Sequence, residues 1–141
     1  LFSFKRGEGA YLGRKKIHVS RIEELSRAHI FFRAGRRENL HAWGAASYGK
    51  LLSAANKTYN FGSTSLDTCF VAAGRIEAAV YGTMTLLDVS PAVGILTEAG
   101  GVAVDADGRL IPSTSREPTT VFIANSRKIA EELRLLLGKP S

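Results

Sequence analysis

One cysteine, one methionine, one tryptophan and four prolines in 141 residues set the first limits. A lone thiol, Cys69, has no partner within the chain. No internal disulfide can staple this fold, and a reducing, cytoplasmic location is expected. No apolar run reaches the roughly 18 residues that a membrane span requires. The opening Leu1-Phe2-Ser3-Phe4-Lys5-Arg6 is not a charged leader followed by an apolar stretch, so no signal peptide is read there and no membrane partner is expected. Acidic residues are scarce too: thirteen Asp and Glu stand against nineteen Lys and Arg, a formal charge of +6. The excess gathers toward the front, at Lys5, Arg6, Arg14, Lys15, Lys16 and Arg21, then at Arg33, Arg36 and Arg37. Such a field attracts nucleic acid or a phosphorylated small molecule, or simply solvates a basic surface. The aromatics are not interleaved with these charges as a base-stacking platform requires, so no nucleic-acid partner is expected.

The composition that remains is globular, 45% hydrophobic with 14 glycines. Without an internal repeat or a long linker, residues 1–141 read as a single domain. Glycines break the opening Gly7-Glu8-Gly9-Ala10-Tyr11-Leu12-Gly13-Arg14 into short extended pieces around a turn, and Ile17-His18-Val19 reads as a strand. Ser20 is placed to cap a brief turn through Leu25. His29 to Arg33 is a strand by its aromatic and β-branched content. From Asn39 to Asn56, apolar and small residues recur at steps of three and four and predict a helix; Lys57 to Phe61 reads as a strand. Thr64 with Asp67 three residues on resembles a capping box, opening a helix that faces inward through Leu66, Cys69, Phe70 and Ala73 and ends at Gly74. A strand is expected over Ile76–Tyr81. Asp88 can cap the next helix, whose Pro91 is tolerable only in its first turn. Val89, Ala92, Val93, Ile95, Leu96 and Ala99 leave that helix almost no polar face, so it must be buried. Val102–Val104, a hairpin turn at Asp105-Ala106-Asp107-Gly108, and Arg109–Ile111 follow. An apolar strand over Val121–Ala124 then leads into a last helix, capped by Asn125 or Ser126 and stopped at Gly138. Strands alternating with helices predict an α/β layered fold.

Two places could carry chemistry. Asp88 stands at the mouth of a buried helix. It either completes that helix N-terminus electrostatically or gives an oxygen to a hard divalent cation, since magnesium sites use one or two carboxylates plus water and substrate phosphate. Gly62-Ser63-Thr64 either caps a helix after a turn or brings free N–H groups to an anion or a sugar hydroxyl. Elsewhere the signals are weak. Asp105, Asp107 and Gly108 lack the spaced ligands of a calcium loop. His18, His29 and His41 have no metal-like spacing, and no serine or Cys69 has a recognisable partner base, so no catalytic nucleophile is assigned.

In order along the chain, these segments resemble the inositol monophosphatase family, and within it the archaeal branch that also hydrolyses fructose 1,6-bisphosphate. The resemblance is carried by Gly7-Glu8-Gly9-Ala10-Tyr11-Leu12, Lys16-Ile17-His18-Val19-Ser20 and Phe61-Gly62-Ser63 with Leu66-Asp67. It continues through Val71-Ala72-Ala73-Gly74-Arg75-Ile76-Glu77-Ala78, Leu87-Asp88-Val89-Ser90-Pro91-Ala92, Thr97-Glu98-Ala99-Gly100-Gly101-Val102 and Ile123-Ala124-Asn125. The likeness implies the C-terminal half of a layered α/β/α/β/α sandwich. It further implies Asp88 as a ligand of activating Mg2+, and Gly62, Ser63 and Thr64 lining the sugar or inositol ring. The implied reaction is hydrolysis of a phosphate monoester of inositol or a sugar by metal-activated water.

Tyr81 stands where inositol enzymes carry a glutamate that contacts substrate and is expected to contact substrate in its place; Tyr59 stands where an arginine is frequent, and Leu87 where a tryptophan is common. The family's paired-glutamate motif and its Asp-Pro-x-Asp-Gly-Thr motif, which lie upstream of the Gly-Glu-Gly-Ala segment, do not occur. The chain is therefore expected to be inactive alone and to complete its site with an N-terminal half or a second copy. The alternative is a non-catalytic binding or assembly module that kept the fold without the chemistry.

Overall fold

The computed structural model describes every residue from Leu1 to Ser141. Three short strands come first: β1 (Phe2–Lys5), β2 (Gly9–Leu12) and β3 (Lys15–Ile17), joined as an antiparallel meander. The chain then enters β4 (His29–Arg33), α1 (His41–Ala54), β5 (Lys57–Tyr59), α2 (Thr64–Ala72) and β6 (Ala78–Met84). It finishes with α3 (Ser90–Glu98), β7 (Val102–Val104), β8 (Thr119–Ala124) and α4 (Arg127–Leu137). Strands β4 to β8 form one sheet in the order β5-β4-β6-β8-β7. β4 is parallel to both β5 and β6, whereas β8 runs antiparallel to both β6 and β7.

Successive buried residues of the central strands point alternately into two cores. Phe31, Ala79, Tyr81, Val121 and Ile123 share one core with α2, α3 and residues Ala10 and Ile17 of the small sheet. Ile30, Phe32, Ala78, Val80, Phe122 and Ala124 share the other with Leu51 of α1 and with Ile129, Ala130, Leu133 and Leu137 of α4. A sheet covered on both faces needs continuous apolar strands, which is why β6 and β8 show no polar face. The layers are therefore the small sheet, then α2 with α3, then the large sheet, then α1 with α4. This is the α/β arrangement expected for half of the layered sandwich. The almost wholly apolar α3 lies between the two sheets, as its lack of a polar face requires.

Several local expectations shift. The cap of α2 is Ser63, whose Oγ accepts from Leu66 N, and not Thr64. Asp67 is consequently no capping partner and turns into the interior with Thr68. Asp88 does not cap α3: a 3-10 turn over Leu86–Val89 intervenes, and Val89 occupies the cap position with no side-chain bond. The strand expected over Ile76–Tyr81 starts at Ala78 and reaches Met84, through a register irregularity against β8. The strand expected over Arg109–Ile111 reduces to one bridge, Val104 to Leu110. Ser126 caps α4, accepting from Ile129 N, and Gly138 ends it.

Candidate functional site

Because β4, β5 and β6 are parallel, the chain leaves all three at the same edge of the sheet. The helix after β4 covers one face, and the helices after β5 and β6 cover the other. The sheet thus changes side between the neighbours β4 and β6, and a crevice must open beyond their carboxyl ends, the place where open α/β sheets bind ligands. Three segments reach it: Ala34-Gly35-Arg36 after β4, Asn60-Phe61-Gly62-Ser63 after β5, and Thr85 to Asp88 after β6.

The last segment holds Asp88 out to solvent. Leu86 and Val89, both buried, pin the 3-10 turn on either side of it. Its amide donates to Thr85 O at 3.3 Å. Its exposed carboxylate takes part in no hydrogen bond or ion pair, so both oxygens are available to a cation. Gly62 has φ of 91°, a left-handed conformation that a β-carbon would strain, and together with Ser63 it is exposed. Ser63 Oγ accepts from Leu66 N and keeps its own proton to donate. The first N–H groups of α2 lie outside the helix's own ladder and face the same edge.

Tyr81 lies differently. It is 1% exposed and donates its hydroxyl to Asp67 Oδ2 at 2.6 Å. Burial pushes the phenol far above its ordinary value, and the Asp67 carboxylate adds to the push. Burial likewise raises the Asp67 carboxyl, with the Tyr81 hydrogen bond and the Arg33 charge acting against it. Asp67 Oδ1 has no partner. Arg33, the residue paired with Tyr81 across the two strands, lays its guanidinium over the ring, 5.4 Å from the centroid. Tyr81 is thus the floor of the crevice under Arg33, and its hydroxyl is already engaged. Arg33, Gly35, Arg36 and Thr83 line a hollow of about 290 Å3. Gly82 is required next to it on β6, since a β-carbon there would run into the backbone carbonyl of Ala34 and the ring of Trp43.

The remaining candidates fall elsewhere. His29 is held between Tyr59 Oη at 3.1 Å and Asn56 Nδ2 at 3.2 Å, at the opposite edge of the sheet. A larger hollow there, about 550 Å3, is floored by the buried Glu77, whose carboxylate accepts from His29 N at 2.7 Å and secures the start of β4. Burial raises the Cys69 thiol, which suits a packed residue and not a nucleophile. No group of three or more His, Cys, Asp or Glu side chains is placed to hold a metal ion, and no helix is long and apolar enough to cross a membrane. Sequence reasoning missed the buried Asp67–Tyr81 bond and the stacking of Arg33 on Tyr81. The available signal was the Arg33–Tyr81 pairing, which becomes visible only once β4 and β6 are known to be neighbours.

The sequence profile of the inositol monophosphatase family matches residues 1–137. The inositol monophosphatase of Dictyostelium discoideum is 28% identical, aligned over 100% of this chain and 52% of its own length. The Nus factor SuhB of Xylella fastidiosa is 29% identical over 97% of this chain and 51% of its own. The crystal structure of the extragenic suppressor protein SuhB from Bartonella henselae superposes with a TM-score of 0.85 at 22% identity, over 99% of this chain and 52% of that one. The chain therefore spans about half the length of the relatives it matches. These matches, from a slime mould and two bacteria, do not single out an archaeal branch.

Proposed function

The chain belongs to the inositol monophosphatase family, and from that membership we propose that it is part of a magnesium-dependent phosphatase acting on phosphate monoesters of inositol or sugars, such as inositol 1-phosphate and fructose 1,6-bisphosphate. The observation that carries the reading is the free, exposed carboxylate of Asp88 in the turn that follows β6, at the carboxyl edge of the sheet. Magnesium takes one or two protein carboxylates and completes its shell with water and substrate phosphate, so a single unbonded carboxylate fits as one of its ligands. A magnesium ion held there would supply an activated water and offset charge on the leaving oxygen. Asp88 would hold it. The backbone of Gly62, the Ser63 hydroxyl and the N–H groups at Thr64 would orient the sugar or inositol ring, while Tyr81 shapes the crevice from below. Further carboxylates would come from an N-terminal half or a second copy of the chain.

The test is phosphate release from inositol 1-phosphate and fructose 1,6-bisphosphate in magnesium, with and without a supplied N-terminal half. Release only when the half is added is expected; no release with it overturns the reading. A second reading, a binding or assembly module without chemistry, is favoured by the lack of any three-ligand acidic or histidine cluster. Asp88→Asn separates the two. The phosphatase loses magnesium affinity in the assembled complex, whereas the module keeps it.

A further inference from the structure

Parallel strands gather their amino ends at one edge as surely as their carboxyl ends at the other, and for β4, β5 and β6 that edge lies away from Asp88. His29 opens β4 there, Asn56 precedes β5 and Glu77 precedes β6. With Ser26, Arg27 and Arg75 they line the hollow of about 550 Å3. Glu77 is only 4% exposed, yet it joins none of the four ion pairs of the structure. Its Oε2 accepts from His29 N and fastens β4, whereas Oε1 has no hydrogen bond within the chain. A glutamine would offer the His29 amide the same acceptor, so fastening the strand does not account for a second, charged oxygen at the floor of a hollow. A carboxylate held this deep calls for a donor.

Two cations share the hollow with it. Arg75 joins no ion pair; its guanidinium lies over the ring of Phe70, 5.1 Å from the centroid, which fixes its plane and leaves the donors on its edge free. Arg27 is exposed and pairs only with Glu24 of its own turn, at 3.4 Å. The His29 ring between them is already engaged by Tyr59 and Asn56. A simple cation entering the hollow meets Glu77 but is repelled by both guanidiniums, and a simple anion meets the guanidiniums but is repelled by Glu77. A molecule that carries both charges satisfies all three groups.

We infer that this hollow binds a small zwitterion, an ammonium group joined by a short chain to an oxyanion. The ammonium donates to Oε1 of Glu77, and the oxyanion takes the edge of Arg75, with Arg27 and the Ser26 hydroxyl beside it. An α-amino acid and O-phosphoethanolamine share that chemistry. The length of β6 separates the hollow from Asp88, and the inference does not depend on the phosphatase reading.

Isothermal titration of the whole chain with L-serine and, separately, with O-phosphoethanolamine tests it, and the tighter of the two identifies the oxyanion as carboxylate or phosphate. N-acetyl-L-serine lacks the ammonium and ethanolamine lacks the oxyanion; each is expected to bind at least about tenfold more weakly, as for a lost charge-assisted hydrogen bond. Glu77→Gln keeps an acceptor for His29 N, so it should fold, and it should weaken binding about tenfold. Arg75→Gln, at an exposed position that folding does not depend on, should do the same. Glu117→Gln removes an exposed acid from the loop before β8 and should bind as the unmodified chain does. The proposal is overturned if the unmodified chain binds neither zwitterion, or binds N-acetyl-L-serine or ethanolamine equally well. Unaltered affinity in either folded variant overturns it too, as does equal weakening by Glu117→Gln.

Discussion

Replacing Tyr81 with phenylalanine keeps the ring beneath Arg33 and removes one atom, the hydroxyl that donates to Asp67 at 2.6 Å. Oδ1 of Asp67 is already without a partner, so the variant leaves a carboxyl only 2% exposed with no hydrogen bond at all. A hydrogen bond to a charged group is worth about 1.5–3 kcal/mol, and leaving its partner buried and unpaired adds desolvation. Tyr81→Phe should therefore cost about 3 kcal/mol, or about 10 °C in melting temperature for a domain of this size. The dependence on pH gives a sharper signature. Burial holds the folded Asp67 above its ordinary value of 3.8, which the unfolded chain recovers. Between those two values the folded chain binds more protons than the unfolded one, so Asp67 makes stability fall as pH rises through the window. Without the Tyr81 bond the folded value climbs further, and the window extends upward. Asp67→Asn abolishes the contribution altogether. Urea unfolding midpoints of the three proteins, measured from about pH 4 to 8, test this. Parallel pH curves for the unmodified chain and Asp67→Asn, or a Tyr81→Phe cost below about 0.5 kcal/mol, would refute the reasoning.

Gly82→Ala places a β-carbon 2.0 Å from Ala34 O, a backbone atom that cannot swing aside. A loss of at least about 3 kcal/mol is expected in a thermal melt, with the exits of β4 and β6 forced apart. Ser126→Ala removes the side-chain acceptor of Ile129 N at the start of α4 and should cost about 1 kcal/mol by urea titration. It should leave ligand affinity unchanged, because α4 covers the face of the sheet away from α2 and α3.

What could be read in advance was whatever one segment decides by itself. Ser126, Ile129, Leu133 and Gly138 carry the cap, the buried stripe and the stop of α4 within a single stretch. The apolar surround of α3 announced its burial because no orientation of that helix offers a polar face. The errors lie where a distant residue decides. Asp67 looked like a capping partner because its spacing from Thr64 is right; its burial depends on Tyr81, fourteen residues on, in a strand beneath the helix. Asp88 looked like a cap because a four-residue 3-10 turn has no periodicity to detect. The crevice itself follows from the order β5-β4-β6, a long-range pairing that neither propensity nor hydrophobic period records.

The charge placement at this edge bears on how a metal and an ester would occupy it. Asp88 is a single exposed carboxylate, and Arg33 and Arg36 stand on the neighbouring strand exit outside any ion pair. On the phosphatase reading, a divalent cation entering alone would meet one carboxylate and two like-charged guanidiniums, and its affinity should be low. A phosphate ester reverses the balance: it satisfies the arginines and offers its own oxygens to the cation. Each ligand then tightens the other by the same factor, as linkage between two binding events demands. On that reading the arrangement would disfavour a bare metal and make the ester part of the metal's own site. A chain that brings only one carboxylate could serve the proposed metal-dependent reaction on that basis, provided the acids that a partner would contribute stood on the far side of the ester from Arg33.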